Sequence, residues 1–136
     1  MRHIFKILTI VFLLTFSKTY GQTNGCDTVY NYLEVMPEYD KGVKGLFDYL
    51  MKELVPIIGN CMKRDTELIA SLYIILTIDS NGKVIDVTFP KNNLSLLCKD
   101  ELKTKLLIMT GWTAGQKDGK PVCCKFDWPI SCLKWD

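Results

Sequence analysis

The sequence predicts an α+β domain in which two helices pack on a three-stranded antiparallel sheet, and three patterns carry that reading. Leu72, Ile74, Leu76 and Ile78 alternate with Tyr73, Ile75, Thr77 and Asp79, the period of a strand with one deeply buried face. Leu46, Phe47, Leu50, Met51 and Leu54 recur at helical spacing, and Cys98, Leu102, Leu106 and Met109 do so again further along. Val122, Cys124, Phe126, Trp128 and Ile130 return to strand alternation against Cys123, Lys125 and Asp127. Helices and strands that each carry one apolar face bury those faces most simply in two layers.

In chain order, residues 22–34 read as a polar lead-in, with Cys26 available to pin it, and the domain occupies 35–136. Pro37 to Lys44 reads as a loop and helix start, where Gly42 and Gly45 oppose an early helix. Pro56 is expected to end the first helix, because a proline steers the preceding residue away from helical angles. Gly59 to Asp65 is then a loop carrying Cys61. The first strand spans Leu68 to Ile78 and is followed by the turn Asp79-Ser80-Asn81-Gly82, whose Asn and Gly accept the positive φ of a hairpin. Lys83 to Phe89 returns as the second strand, and Pro90 to Leu94 closes it.

The second helix is predicted from Ser95 to Met109, with Lys99, Asp100, Lys103 and Lys105 outward and Gly111 as its stop. Trp112 to Lys120 is a turn-rich connector containing Gly115 and Asp118-Gly119. In the last strand Pro129 cannot donate to a ladder, which predicts an edge position or a break there.

The first residues predict export. Arg2, His3 and Lys6 precede an apolar run from Ile7 to Phe16, and Gly21 is a small residue before a cleavage point ahead of Gln22. The rival reading is an uncleaved membrane anchor, but the run is shorter than the roughly 20 apolar residues of a spanning helix. A lipid on Cys26 is disfavoured by the Thr-Asn-Gly before it. Cleavage of residues 1–21 leaves 115 of the 136 residues, suited to one core, with fourteen basic against fifteen acidic side chains. A near-neutral mixed surface argues against nucleic acid as a partner. The same cleavage removes His3, the one histidine, and with it imidazole catalysis and histidine-metal chemistry. No catalytic residue, cofactor or small-molecule substrate is expected.

Cys26, Cys61, Cys98, Cys123, Cys124 and Cys132 remain, and an even number in an exported chain predicts disulfides. Free buried thiols are the second reading, and metal or redox chemistry the third, since neither a C-x-x-C pair nor zinc-ribbon spacing occurs. Strand parity favours a link from Cys98 to Cys124 or Cys132, and leaves Cys123 to pair with Cys26 or Cys61. Trp112, Trp128 and Trp135 read as core before they read as a ligand surface. Asp79, Asp86 and Asp127 read as turn and strand-edge residues, without the spacing of a calcium loop.

Four segments together resemble a known family. Met36-Pro37-Glu38-Tyr39-Asp40-Lys41-Gly42, the hairpin Ile78 to Val87, the connector Gly111 to Val122 and the closing Phe126-Asp127-Trp128-Pro129-Ile130 stand in the order and spacing of the TonB C-terminal domain. The resemblance covers residues 35 to 133; Asp40-Lys41 and Thr113-Ala114 depart from the family's usual residues, and the cysteines are additional. No proline-rich spacer precedes the domain.

The resemblance implies a periplasmic or secreted protein-interaction module, possible as a homodimer, and binding by strand addition to an envelope partner such as a receptor or transporter. A link to outer-membrane transport follows from the same resemblance, without implying energy transduction. The expected edge is the final strand, with Val122, Cys123, Lys125, Asp127 and Trp128 as its binding residues. The alternative is a thiol redox protein or sensor acting through Cys123 and Cys124.

Overall fold

A computed structural model describes residues 25–65, 69, 71–90 and 92–131. The expected export segment, Leu68, Cys132 and Trp135 lie outside these residues. In chain order the elements are β1 (Val29–Tyr30), β2 (Glu38–Tyr39), α1 (Gly42–Tyr49), a π-helical segment (Leu50–Leu54), α2 (Val55–Asp65), β3 (Ser71–Ile78), β4 (Val84–Thr88), α3 (Leu96–Leu107), β5 (Trp112–Thr113), β6 (Gly115–Lys117) and β7 (Lys120–Ser131). The fold class is α+β, as the periodicities predict.

The first helix does not stop at Pro56. α1, the π-helical segment and α2 run on without a break from Gly42 to Asp65, so the expected loop from Gly59 is helical. The wide turn accounts for this. Val55 donates its N–H to the Leu50 carbonyl, an i→i+5 bond, just before the proline. A proline inside a regular α-helix clashes with the carbonyl four residues back and lacks the N–H to bond it. A π turn opens that spacing at this point. The buried stripe is then Leu46, Leu50, Leu54, Ile58 and Cys61, while Phe47 and Met51 remain exposed. Gly45 does more than weaken the helix start, since a Cβ there would fall 1.9 Å from the Asp40 carbonyl oxygen. The loop before α1 can pass this close only against a glycine.

α3 matches its predicted face, with Cys98, Leu102 and Leu106 buried, and it ends at Leu107, so Met109 is buried just beyond it. Ser95 is its N-cap: the side chain accepts from the Cys98 N–H at 3.2 Å and donates to Asp65 Oδ2 at 2.6 Å. One hydroxyl therefore satisfies an unpaired helix-start donor and ties α3 to the end of α2. Ser95→Ala is expected to lower stability by about 1–2 kcal/mol, read as a fall in the thermal midpoint. Across the same helix pair, Tyr49 donates to the Lys105 carbonyl at 3.0 Å. Burial, then Glu53 and Tyr39, pushes the Tyr49 hydroxyl up to about 12, so it stays a donor. Lys105 also pairs with Glu53.

The sheet is larger and less regular than predicted. β3 pairs antiparallel with β4 from Ile75↔Thr88 to Ile78↔Val84, with a bulge between Thr77 and Ile78. On its other side β3 pairs antiparallel with β7 from Ser71↔Ser131 to Ile78↔Cys124. β7 also takes β1 in parallel, at Val29↔Cys123 and Tyr30↔Cys124, and forms a hairpin with β6. The result is a five-stranded mixed sheet in the order β1-β7-β3-β4, with β6 joined to β7, in place of the expected three antiparallel strands. β2 and β5 form a separate antiparallel pair.

Leu72, Ile74, Leu76 and Ile78 of β3 are at most 1% exposed. Together with Trp128 and Ile130 of β7 and the helix stripes they form one core. Each such aliphatic side chain stabilises the fold by roughly 1.5–3 kcal/mol on burial.

Candidate functional site

β7 is twelve residues long and carries every residue expected to form the binding edge. Its even positions Cys124, Trp128 and Ile130 face the helices and are buried, whereas Lys125, Asp127 and Pro129 are exposed. Trp112, in β5, is buried as well, against Phe126 at 4.7 Å and Tyr39 at 5.3 Å between ring centroids. The two described tryptophans are therefore core.

The expected edge from Val122 to Trp128 needs correction. Val122 faces Gly115 of β6, and Cys123 and Cys124 face Val29 and Tyr30 of β1. This first half of the strand is occupied by segments too short to leave a periodic trace in the sequence. From Lys125 to Ser131 the situation differs: β7 pairs β3 on one side and no described strand on the other. Asp127 and Trp128 belong to that stretch, and Lys125 begins it beside the end of β1.

Pro129 neither ends the strand nor breaks it, for it stands in the ladder opposite Tyr73 and β7 continues to Ser131. A proline is tolerated in a strand when its nitrogen faces away from the paired neighbour. Backbone direction alternates along a strand, so Asp127, two residues earlier, turns its N–H to the same open side. On the adjoining face Asp127 interacts with Tyr73: its carboxylate, bonded to the Tyr73 hydroxyl, raises that phenol above its ordinary range, with desolvation second.

The cysteines pair in two places. Cys26 is bonded to Cys123 and Cys61 to Cys98, with Cα atoms 6.0 and 5.7 Å apart. Cys123 thus takes one of its two expected partners, and Cys26 does pin the lead-in. Cys98 does not reach β7. Because α2 continues past Pro56, it presents Cys61 directly to α3. Cys124 is buried and unpaired among the described residues, and burial, with Asp127 second, pushes its thiol up. Neighbouring strand residues point to opposite faces, so Cys123 and Cys124 do not form a dithiol pair.

Asp79 is a turn residue: its carboxylate accepts the N–H groups of Asn81 and Lys83, each at 2.9 Å. Asp86 is bonded to Lys103 of α3. Among the described residues no cluster of three or more His, Cys, Asp or Glu is placed to hold a metal, and no helix is long and apolar enough to cross a membrane.

The sequence reading missed β1. Val29 and Tyr30 are β-formers, but two residues in a polar stretch give no alternation to detect. Lys117 reinforces this strand, with its Nζ 4.6 Å from the centre of the Tyr30 ring. No protein-family model, curated protein or solved structure matches the chain.

Proposed function

We propose that this chain is an exported protein-interaction module of the TonB C-terminal domain kind, which captures an extended segment of an envelope partner by strand addition. The observation that carries the proposal is the side of β7 from Lys125 to Ser131, which no described strand covers. Unpaired backbone groups along such a side are a template for an incoming strand. The exposed side chains of Lys125 and Asp127, of opposite charge, border it. The partner is a receptor, a transporter or a second copy, the role belongs to the periplasm or the outside of the cell, and a connection to outer-membrane transport is part of the same reading. The motif order from Met36 to Ile130 supports the family side of the proposal, and the two disulfides fit an oxidising compartment.

Asp127 is the position for the test. Lys125 follows Cys124, the register partner of Tyr30, so a proline there would also disturb β1. At Asp127 a proline removes a donor on the open side and leaves the ladder to β3, where Asp127 faces Ile75, as Pro129 already does opposite Tyr73. Asp127→Ala removes the same contact to Tyr73 and keeps the backbone donor. Capture of partner from envelope extract by immobilised mature protein is expected to fall about tenfold or more with Asp127→Pro and only modestly with Asp127→Ala, both variants being folded by circular dichroism. Equal capture by the two folded variants would falsify strand addition on this side of β7.

A further inference from the structure

We propose that the Cys26–Cys123 disulfide is a reducible latch: a dithiol opens it in the folded protein, releases β1 and extends the open side of β7 back to Cys123, while Cys61–Cys98 stays closed. The two bridges sit in contrasting surroundings. Cys61 and Cys98 are 1% and 0% exposed, inside the helix pair. Cys26 is only half-buried, in a segment whose Gly25, Asp27 and Thr28 are exposed. Reduction by exchange requires an attacking thiolate to reach a sulfur, and Cys26 is the sulfur within reach.

Besides this bond, β1 is held by a short ladder and by Lys117, whose Nζ lies over the Tyr30 ring at 4.6 Å. Its ladder is two register pairs, Val29↔Cys123 and Tyr30↔Cys124, and Val29 remains 37% exposed while Tyr32 is 85% exposed. The disulfide joins Cys123, itself the register partner of Val29, to a residue three positions before Val29, so the bond lies beside the ladder it keeps. On the other flank the segment is secured at Val35, whose carbonyl accepts the Gln116 N–H at 2.8 Å. With the disulfide cut, the described residues 25–34 are held by the two register pairs, by Lys117 at Tyr30 and by Leu33 beside Gly115. Two-residue pairing is too small to persist without the covalent tether.

The chemistry is a thiol–disulfide exchange with a dithiol as the named reductant. Its thiolate attacks the Cys26 sulfur, the Cys26–Cys123 bond breaks, and Cys123 leaves as a thiolate that takes up a proton. The second thiol of the reagent then displaces Cys26 from the mixed disulfide. The dithiol loses two electrons and becomes a disulfide, and the protein gains two electrons and two protons as two thiols. Cys124 takes no part, since it lies on the opposite face and is buried. The consequence for binding rests on the proposed capture side of β7, whereas the latch itself does not.

The test is titration of the folded, exported protein with dithiothreitol without denaturant, followed by alkylation, peptide mapping and amide hydrogen exchange on the same samples. Cys26 and Cys123 are expected to become alkylated at about tenfold lower reductant than Cys61 and Cys98. In that interval the amides of Tyr30, Cys123 and Lys125 are expected to exchange about tenfold faster, with those of Leu72 to Leu76 unchanged. Cys26→Ser should reproduce the faster exchange with no reductant present. Reduction of all four cysteines together overturns the latch, and so does selective reduction, or Cys26→Ser, without faster exchange in β1 and β7. None of these readouts needs a partner, so failure of the Asp127 test leaves them standing.

Discussion

Gly82→Ala is expected to destabilise the domain by about 3 kcal/mol, more than any other single methyl added to the β3–β4 hairpin. Two independent costs meet at this position. Gly82 has φ of +77°, a left-handed conformation that a Cβ disfavours by roughly 1–2 kcal/mol. A Cβ there would also lie 2.2 Å from the carbonyl oxygen of Trp112 and 3.1 Å from its carbonyl carbon. Both atoms are backbone, so no side-chain rotation relieves the overlap, and overpacking of this kind costs about 1–3 kcal/mol.

The turn itself is firmly held, with Gly82 donating to the Asp79 carbonyl at 3.0 Å and Asp79 donating to the Lys83 carbonyl at 2.8 Å. The connector carrying Trp112 must therefore move, and Trp112 is buried against Phe126 and Tyr39. Urea unfolding of Gly82→Ala, Gly82→Asn and Ser80→Ala separates the terms. Asn tolerates the backbone angle but keeps the Cβ, so it should recover only the conformational part, leaving about 2 kcal/mol of loss. Ser80→Ala, at an exposed turn position, should stay within about 0.5 kcal/mol of the parent. If Gly82→Ala unfolds within about 1 kcal/mol of the parent, the close approach to Trp112 is not present in solution.

Loss of the Cys61–Cys98 bridge is expected to cost about 3–4 kcal/mol, from the entropy that a bond across 37 residues removes from the unfolded chain. The bond staples α2 to α3 where the two helices are also joined by Ser95 to Asp65 and by Arg64 to Glu101 at 3.1 Å. That exposed ion pair adds little beside the bridge. The variant to measure is Cys61→Ala with Cys98→Ala, which removes both sulfurs and leaves no unmatched thiol to mispair. Serine would add buried hydroxyls in positions that are about 1% exposed or less, confounding the comparison. The denaturant midpoint of oxidised parent and double variant should differ accordingly, and the two should converge once both are fully reduced, because the variant keeps Cys26–Cys123. A double variant as stable as the oxidised parent would show that the helices are not joined this way. Non-reducing peptide maps of the parent should contain Cys61–Cys98 and Cys26–Cys123, with Cys124 recovered as a thiol.

Much of the secondary structure was legible because it depends on residues within about four positions of one another. Cys98, Leu102, Leu106 and Met109 repeat with the helical period and all are buried, and Ser95 stands where an N-cap belongs. In β3 the buried positions Leu72, Ile74 and Leu76 alternate with less buried neighbours, and only at Thr77 and Ile78 does the alternation lapse. The first helix was harder. Its five apolar residues span a wider arc than the contact with the sheet covers, so Phe47 and Met51 could not be told from Leu46 and Leu50 by spacing alone. Pro56 normally ends a helix, and only the i→i+5 turn before it lets this one continue. The mistaken loop then hid the partner of Cys98, since a cysteine on a loop has no defined facing.

Local residue patterns were enough for the fold class, the core face of α3, the alternation of β3 and β7, the turn at Asp79 to Gly82, and the pairing of Cys123 with an upstream cysteine as one of two choices. The tertiary structure decided what lies beside β7: β1 in parallel and β6 over its first residues, β3 along the rest, and an uncovered side among the described residues beyond Cys124. It also chose the disulfides, across separations of 97 and 37 residues. Periodicity, caps and turns are written in neighbouring residues because the backbone geometry that makes them repeats within one or two turns of chain. Which strand meets which, and which thiol meets which, depends on surfaces brought together from opposite ends of the domain, and a two-residue strand such as β1 exists only once β7 is there to receive it.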